Sequence, residues 1–343
     1  MSAYDGRPLR LMEVCGTHTA GIFKSGMRSF LSPKIRLISG PGCPVCVTPT
    51  AFIDRCVEIA LAPGNAIVSF GDMFKVPGSE MSLAGAKGIG GRVEMVYSPF
   101  DIIKLAELEP GTRFVMAAVG FETTAPAYAL LMEELSKRGV ENVKLLTALK
   151  KTLPAIEWVC ENEPGVDGFL CPGHVSVITG SEAFEPLAAA YGKPFVVAGF
   201  ESRHLVCAVY RLAREASGEC EPRGVSNLYP EAVSSNGNLK ALAIMDKYFV
   251  PSGAMWRGLG NIQGSGLRLR DEFAAFDAGS DGLDSDAALP EACRCADVIT
   301  GRIDPDGCPM FGKACAPGHA KGPCMVSSEG ACGIWYSNGR NFD

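Results

Sequence analysis

The chain has 343 residues, 47 % hydrophobic and 20 % charged, with a formal net charge of −6 and a pI of about 5.4. An acidic balance of this kind excludes nucleic-acid binding through a broad basic face. The opening Met1-Ser-Ala-Tyr-Asp-Gly-Arg-Pro8 lacks the apolar segment of a signal peptide, and no run of about 18 apolar residues is present to cross a bilayer; a cytoplasmic protein with no membrane partner is expected.

The length predicts two or three domains. The fourteen cysteines read, in a reducing compartment, as metal ligands or redox groups before structural disulfides. Cys15-Gly-Thr-His18 comes first along the chain. If it starts a helix, the thiol and imidazole share one face. An imidazolium or a helix N-terminus would lower the thiol pKa, and thiolate is the form that binds soft metals.

A strand over Ile35–Ile38 leads into Gly40-Pro-Gly-Cys43-Pro-Val-Cys46. The two-residue separation is that of dithiol oxidoreductases and of half a metal site; a structural turn is the plainer reading. Ala66–Phe70 ends at Gly71-Asp72, and Phe114–Val119 ends at Gly120-Phe-Glu122. Lys144–Ala148, Phe169–Leu170 and Phe195–Ala198 continue the strand series, with helical patterns over Ala127–Arg138 and Ser181–Tyr191. The alternation predicts an α/β fold with a largely parallel sheet. Sites usually form at the carboxyl ends of such strands. Asp72, Glu122 and Glu201 stand there, placed to bind a ligand, cap a helix or relay protons.

Cys171-Pro-Gly-His174-Val-Ser-Val-Ile-Thr179 echoes the Gly40–Thr48 string. The echo suggests two related α/β halves with their loops facing a cleft. Chance similarity of Gly-Pro turns is the alternative, as is a core histidine for His174. Ser217–Gly237 reads as a connector. Gly253–Gly266 is glycine-rich but has no Gly-Lys-Ser/Thr sequel, so it is not read as a phosphate loop. Asp277–Pro290 is an acidic link to the tail. The expected domains are 1–110, with the Cys15 and Cys43 loops; 111–235, with the Glu122 and His174 loops; and 236–343, a connector returning to the core followed by a small cysteine-rich iron–sulfur domain.

The tail holds Cys293, Cys295, Cys308, Cys315, Cys324 and Cys332. No Cys-x-x-Cys pair occurs among them, so a zinc ribbon fits poorly. A 4Fe-4S cluster held by cysteine uses four thiolates, which would leave two for a redox pair; zinc remains the alternative. His319 lies between two of these cysteines as a possible ligand or a loop residue. Cys56, Cys160 and Cys207 lie in apolar runs and read as core thiols; Cys220 reads as an exposed loop residue.

Several strings together resemble the HypD family of hydrogenase maturation factors. They are Cys15-Gly-Thr-His-Thr19, Gly40-Pro-Gly-Cys-Pro-Val-Cys46, Phe70-Gly-Asp-Met73 with Val76-Pro-Gly78, Gly120-Phe-Glu-Thr-Thr124, Cys171–Ile178, Gly264-Ser-Gly266 and Cys324–Cys332. They span nearly the whole chain. The resemblance implies a scaffold that assembles the Fe(CN)2CO unit of NiFe-hydrogenase with a HypC-type chaperone. Cyanide would come from a HypE-type donor, and the unit would pass through HypC to the hydrogenase large subunit. It further implies iron held by Cys15 beside His18, and Cys43 with Cys46 as a second thiol pair. By the same pattern Cys293, Cys308, Cys315 and Cys332 would hold a 4Fe-4S cluster, with Cys295 and Cys324 as a redox pair. The chain departs from the family pattern in its short leading segment before Cys15 and in Ser-Arg after Glu201. Two rival readings are a 4Fe-4S-dependent thiol–disulfide oxidoreductase and a zinc-stabilised interaction module. No motif fixes conventional turnover of a substrate.

Overall fold

Short apolar runs buried on both faces become the strands of two sheets. The computed structural model describes residues 1–221, 224–286 and 290–339. In chain order the strands are β1 (Leu9–Glu13), β2 (Ile35–Ser39), β3 (Asn65–Ser69), β4 (Val93–Met95), β5 (Arg113–Gly120) and β6 (Val143–Lys150). They continue with β7 (Gly168–Cys171), β8 (Phe195–Val197), β9 (Val225–Asn227), β10 (Phe249–Trp256) and β11 (Gly260–Leu269). The first sheet runs β2-β1-β7-β8-β9 and is parallel throughout. The second runs β10-β11-β6-β5-β3-β4. Its β6-β5-β3-β4 part is parallel, and an antiparallel hairpin, β10–β11, is added on β6. Helices connect the parallel strands, as such crossovers require, so the class is α/β.

The sheets do not follow the boundaries expected at residues 110 and 235. β1 and β2 share a sheet with β7–β9, while β3–β6 lie in the other with β10 and β11. The echo is also placed differently from two facing halves. Its two loops follow β2 and β7, which flank β1 in one sheet. Both results have one cause: strands buried on both faces are continuous apolar runs, and such a run carries no mark of the sheet it joins. The glycine-rich stretch from 253 to 266 is mostly strand and includes the hairpin turn.

Among the core side chains, Trp256, Tyr128, Phe52, Phe114 and Phe169 are fully buried, each worth about 1.5–3 kcal/mol in removed apolar surface. The segment from 290 to 339 forms short helices, Cys295–Ile299, Pro323–Val326 and Ala331–Asn338. It touches both sheets' loops. Trp335 packs edge-on against Phe23, centroids 5.1 Å apart, and Arg28 lies over both rings at 5.0 and 4.9 Å. Cys56 and Cys160 are core thiols as expected; Cys207 is exposed instead. It sits on the outer side of the amphipathic helix Ser202–Ser217, whose inner face is Leu205, Ala208, Val209 and Leu212. Among the described residues no helix is long and apolar enough to cross a membrane.

Candidate functional site

The carboxyl ends of the first sheet gather Cys15, His18, Cys43, Cys46, His174 and Glu201. β1 runs into Cys15, β2 into the Gly40–Cys46 loop, β7 into Cys171-Pro-Gly-His174 and β8 into Ala198–Glu201. From β1 the chain steps outward to β2 on one side, while β7 and β8 lie on the other. The β1–β7 crevice is therefore a switch point of the kind where ligands settle in open α/β sheets.

Cys15 is the extended N-cap of the helix Gly16–Lys24 (φ −163°, ψ 125°). Burial raises its thiol pKa; the backbone N–H groups of His18 and Thr17 pull the other way, and the Glu329 carboxylate adds to the rise. His18 is fully buried. Its Nε2 lies 3.1 Å from the Ala198 carbonyl, which assigns the proton to Nε2. Burial lowers its pKa to about 4, so the ring is neutral. The imidazolium expected to activate Cys15 is absent, because a cation there would be cut off from water. Phe200 contacts both His18 and His174, its ring tilted by 34° to each and centroids 4.8 and 4.2 Å apart, which places His174 on the same rim.

Two close approaches fix the neighbours of Cys15. A Cβ on Gly42 would lie 2.6 Å from the Cys15 nitrogen and 2.8 Å from its Cα, so the Cys43 loop presses directly on it. A Cβ on Gly16 would lie 2.8 Å from the Glu329 Cα, so the tail also reaches this helix start. Cys43 and Cys46 are joined as a disulfide with Cα atoms 5.3 Å apart, and both are buried. The Cys46 sulfur lies 4.0 Å from the carbonyl oxygen of Pro323, the residue before Cys324.

All six tail cysteines line one small cavity, together with Met310, Phe311, Gly322 and Met325. The Cys295 and Cys324 thiols are hydrogen-bonded, and Cys324 is in turn bonded to Cys332. The hydrogen bond to Cys324, then burial, raise the Cys295 pKa. Burial and the Cys295 thiol push Cys293 up to about 11. Among the described residues no three His, Cys, Asp or Glu side chains are arranged to hold a metal ion. His319 is exposed, its Nε2 3.2 Å from the Lys313 carbonyl, and does not line this cavity.

The carboxylates divide by role. Asp72 Oδ2 accepts from Ser327 Oγ at 3.1 Å, Ser328 N at 3.3 Å and Ser328 Oγ at 3.1 Å, tying the tail to the loop after β3. Glu122 accepts from Thr152 N at 2.7 Å and Thr152 Oγ1 at 2.8 Å, securing the start of the helix Thr152–Asn162. Glu201 is exposed and paired with Arg203 at 2.9 Å. Glu329 was not singled out by the sequence; partial burial and the Asp72 carboxylate raise its pKa. The signal was its position within the Cys324–Cys332 string.

The family model described as "HypD: Hydrogenase formation hypA family" matches residues 1–339. The chain is 41 % identical over 345 residues to the hydrogenase maturation factor HypD of Azotobacter vinelandii, covering 97 % of this chain and 90 % of that one. It is 42 % identical over 335 residues to HypD of Escherichia coli, covering 96 % and 89 %. HypD of Rhodobacter capsulatus is 41 % identical over 343 residues, covering 97 % and 90 %.

Proposed function

Because this chain belongs to the HypD family of hydrogenase maturation factors, we propose that it is a cytoplasmic scaffold for the Fe(CN)2CO unit of NiFe-hydrogenase. In this reading it works with a HypC-type chaperone, receives cyanide from a HypE-type donor and passes the unit to the hydrogenase large subunit through HypC. The observation that carries the reading is convergence. The segments that carry Cys15, the Cys43–Cys46 pair and Cys324 are packed against one another, although the tail lies far from the other two in the chain.

The substrate iron would be held by Cys15 in the crevice between the sheet ends and the tail. Burial favours the Cys15 thiol, so a soft ferrous ion must displace its proton on binding. The backbone N–H groups of Thr17 and His18 then support the sulfur's charge. His18 is fixed by its Nε2–H bond to Ala198 and stays neutral beside the iron. Asp72, through Ser327 and Ser328, holds the tail over the crevice.

The tail cavity fits a resident 4Fe-4S cluster. Its lining is six cysteines with apolar neighbours, and soft thiolates are the ligands such iron takes. Cys293, Cys308, Cys315 and Cys332 would hold the cluster, leaving the hydrogen-bonded Cys295 and Cys324 as the redox pair. When bound, the cluster supplies one-electron chemistry. The oxidised Cys43–Cys46 pair beside Pro323 favours a second reading, a thiol–disulfide oxidoreductase that acts without partners.

Anaerobic purification with metal analysis tests both. Brown protein with about four irons per chain supports the cluster; colourless protein with zinc would sink it. With HypC added, cyanide and carbonyl infrared bands support the scaffold, whereas disulfide turnover without HypC and no such bands would favour the reductase. Cys15→Ala should lose the bands and keep the iron; bands that persist would refute the role of Cys15.

A further inference from the structure

The turn between β10 and β11 carries a charged group that the proposed function leaves unused. Arg257 stands at a hairpin tip, where water normally reaches, yet it is only 2 % exposed. The turn is held on several sides. Lys150 Nζ donates to the Met255 carbonyl at 2.7 Å, and Trp256 Nε1 donates to Ser265 Oγ at 2.8 Å. The Arg257 N–H donates to the Val47 carbonyl at 2.9 Å, and its Nε donates to the Thr48 carbonyl at 2.9 Å. The guanidinium is thus attached to the loop that carries Cys43 and Cys46.

On its other side the turn rests on the tail. Gly258 adopts φ +81°, and a Cβ there would come within 2.8 Å of the Ala296 Cβ, next to Cys295. Cys295 and Cys293 lie within range of the guanidinium's charge. Among the described residues Asp286 pairs with it, at 3.4 Å and partly exposed, and Asp54 also lies within range of its charge. Its Nη2 is buried with no hydrogen-bond partner among the described residues. A buried unpaired N–H costs about 1–3 kcal/mol, and a buried charge is costly unless an opposite charge offsets it.

We propose that Arg257 is a fixed positive charge that raises the reduction potential of the group held by the tail cysteines. The inference rests on the cluster reading given above. Adding one electron to a thiolate-held cluster adds one negative charge and takes up no proton. In a buried site that charge is weakly screened, and a guanidinium cannot answer it by losing its own proton. Charge and hydrogen bonding around the sulfurs are established levers on cluster potential. Arg257 supplies the charge from a turn that is locked in place.

The test uses the full chain, purified anaerobically, as wild type, Arg257→Gln, Arg257→Lys and Asp286→Asn. Midpoint potentials are read by dithionite titration in the visible spectrum, beside a urea denaturation of each protein. Arg257→Gln should lower the reduction equilibrium constant at least about tenfold, which is about 59 mV for one electron. Arg257→Lys should retain most of the wild-type value. Asp286→Asn, which keeps the acceptor and removes the opposing charge, should shift the potential upward, and it decides the matter if Arg257→Gln does not fold. Potentials that stay at the wild-type value while stability changes would overturn the inference and leave Arg257 a packing residue. Wild-type protein without iron would instead defeat the cluster reading.

Discussion

Two buried groups beside Cys15 titrate in opposite senses, and their effects on stability should nearly cancel until one is removed. Glu13 ends β1 and accepts from Arg28 Nη2 at 2.7 Å. Burial raises its pKa from 4.5 to about 7 in spite of Arg28. The folded state holds this proton more tightly than the unfolded chain. The contribution is therefore complete below pH 4.5 and is lost as pH rises through 7. At 1.36 kcal/mol per pH unit it amounts to about 3 kcal/mol. His18 moves the other way, from 6.5 to about 4. Its contribution is complete above pH 6.5 and is lost as pH falls through 4, again by about 3 kcal/mol. Urea denaturation from pH 4 to pH 8 on wild type, Glu13→Gln and His18→Gln separates the two, because groups common to all three proteins drop out of the differences. The stability of Glu13→Gln relative to wild type should climb by about 3 kcal/mol between pH 4.5 and 7. That of His18→Gln should fall by about 3 kcal/mol between pH 4 and 6.5. Differences that stay flat with pH would refute the account of a neutral His18 and a proton-retaining Glu13.

Other substitutions test the contacts that close the crevice. Gly16→Ala would drive a methyl group into the Glu329 backbone, 2.8 Å from its Cα; overpacking of this kind costs about 1–3 kcal/mol, to be seen as a lower urea midpoint. Asp72→Ala removes three hydrogen bonds to Ser327 and Ser328. We expect a loss of about 1–3 kcal/mol and faster hydrogen exchange at the Ser328 amide, and unchanged exchange there would count against the tether. Glu122→Ala leaves the buried N–H and hydroxyl of Thr152 without their acceptor. It should destabilise the chain by about 2–3 kcal/mol, measured by urea denaturation, while iron content stays at the wild-type level.

The strands that sequence marked best are those whose environment is simplest. β2, β3, β5, β6, β7 and β8 fall on the apolar runs expected of buried parallel strands. β1 was not among them: Leu-Arg-Leu-Met-Glu mixes charge into a short run, and its Glu13 is buried against Arg28, 15 residues further on. Which sheet each strand joins depends on pairings such as β1 with β7, more than 150 residues apart, which no local pattern records. The cysteines of the site could be read directly, because their chemistry is set by residue type. The charge state of His18 could not, because it follows from burial. Arg257 and Glu329 escaped notice because a single charged residue on a turn gives no periodic signal; the fold gives each its cysteine neighbours.

The way the first sheet is shared between distant parts of the chain sets a timetable for biosynthesis. β1 and β2 leave the ribosome early, but β7 and β8, which complete their sheet, follow only after the β3–β6 region has been made. Glu329 and the Cys324 segment, which close over Cys15, come about 310 residues after it. At roughly 5–20 residues per second, Cys15 waits on the order of 15–60 s for its cover. A nascent or truncated chain thus carries the thiol of the crevice without the tail that shields it, and the complete set of contacts around Cys15 exists only once synthesis has passed the last cysteine.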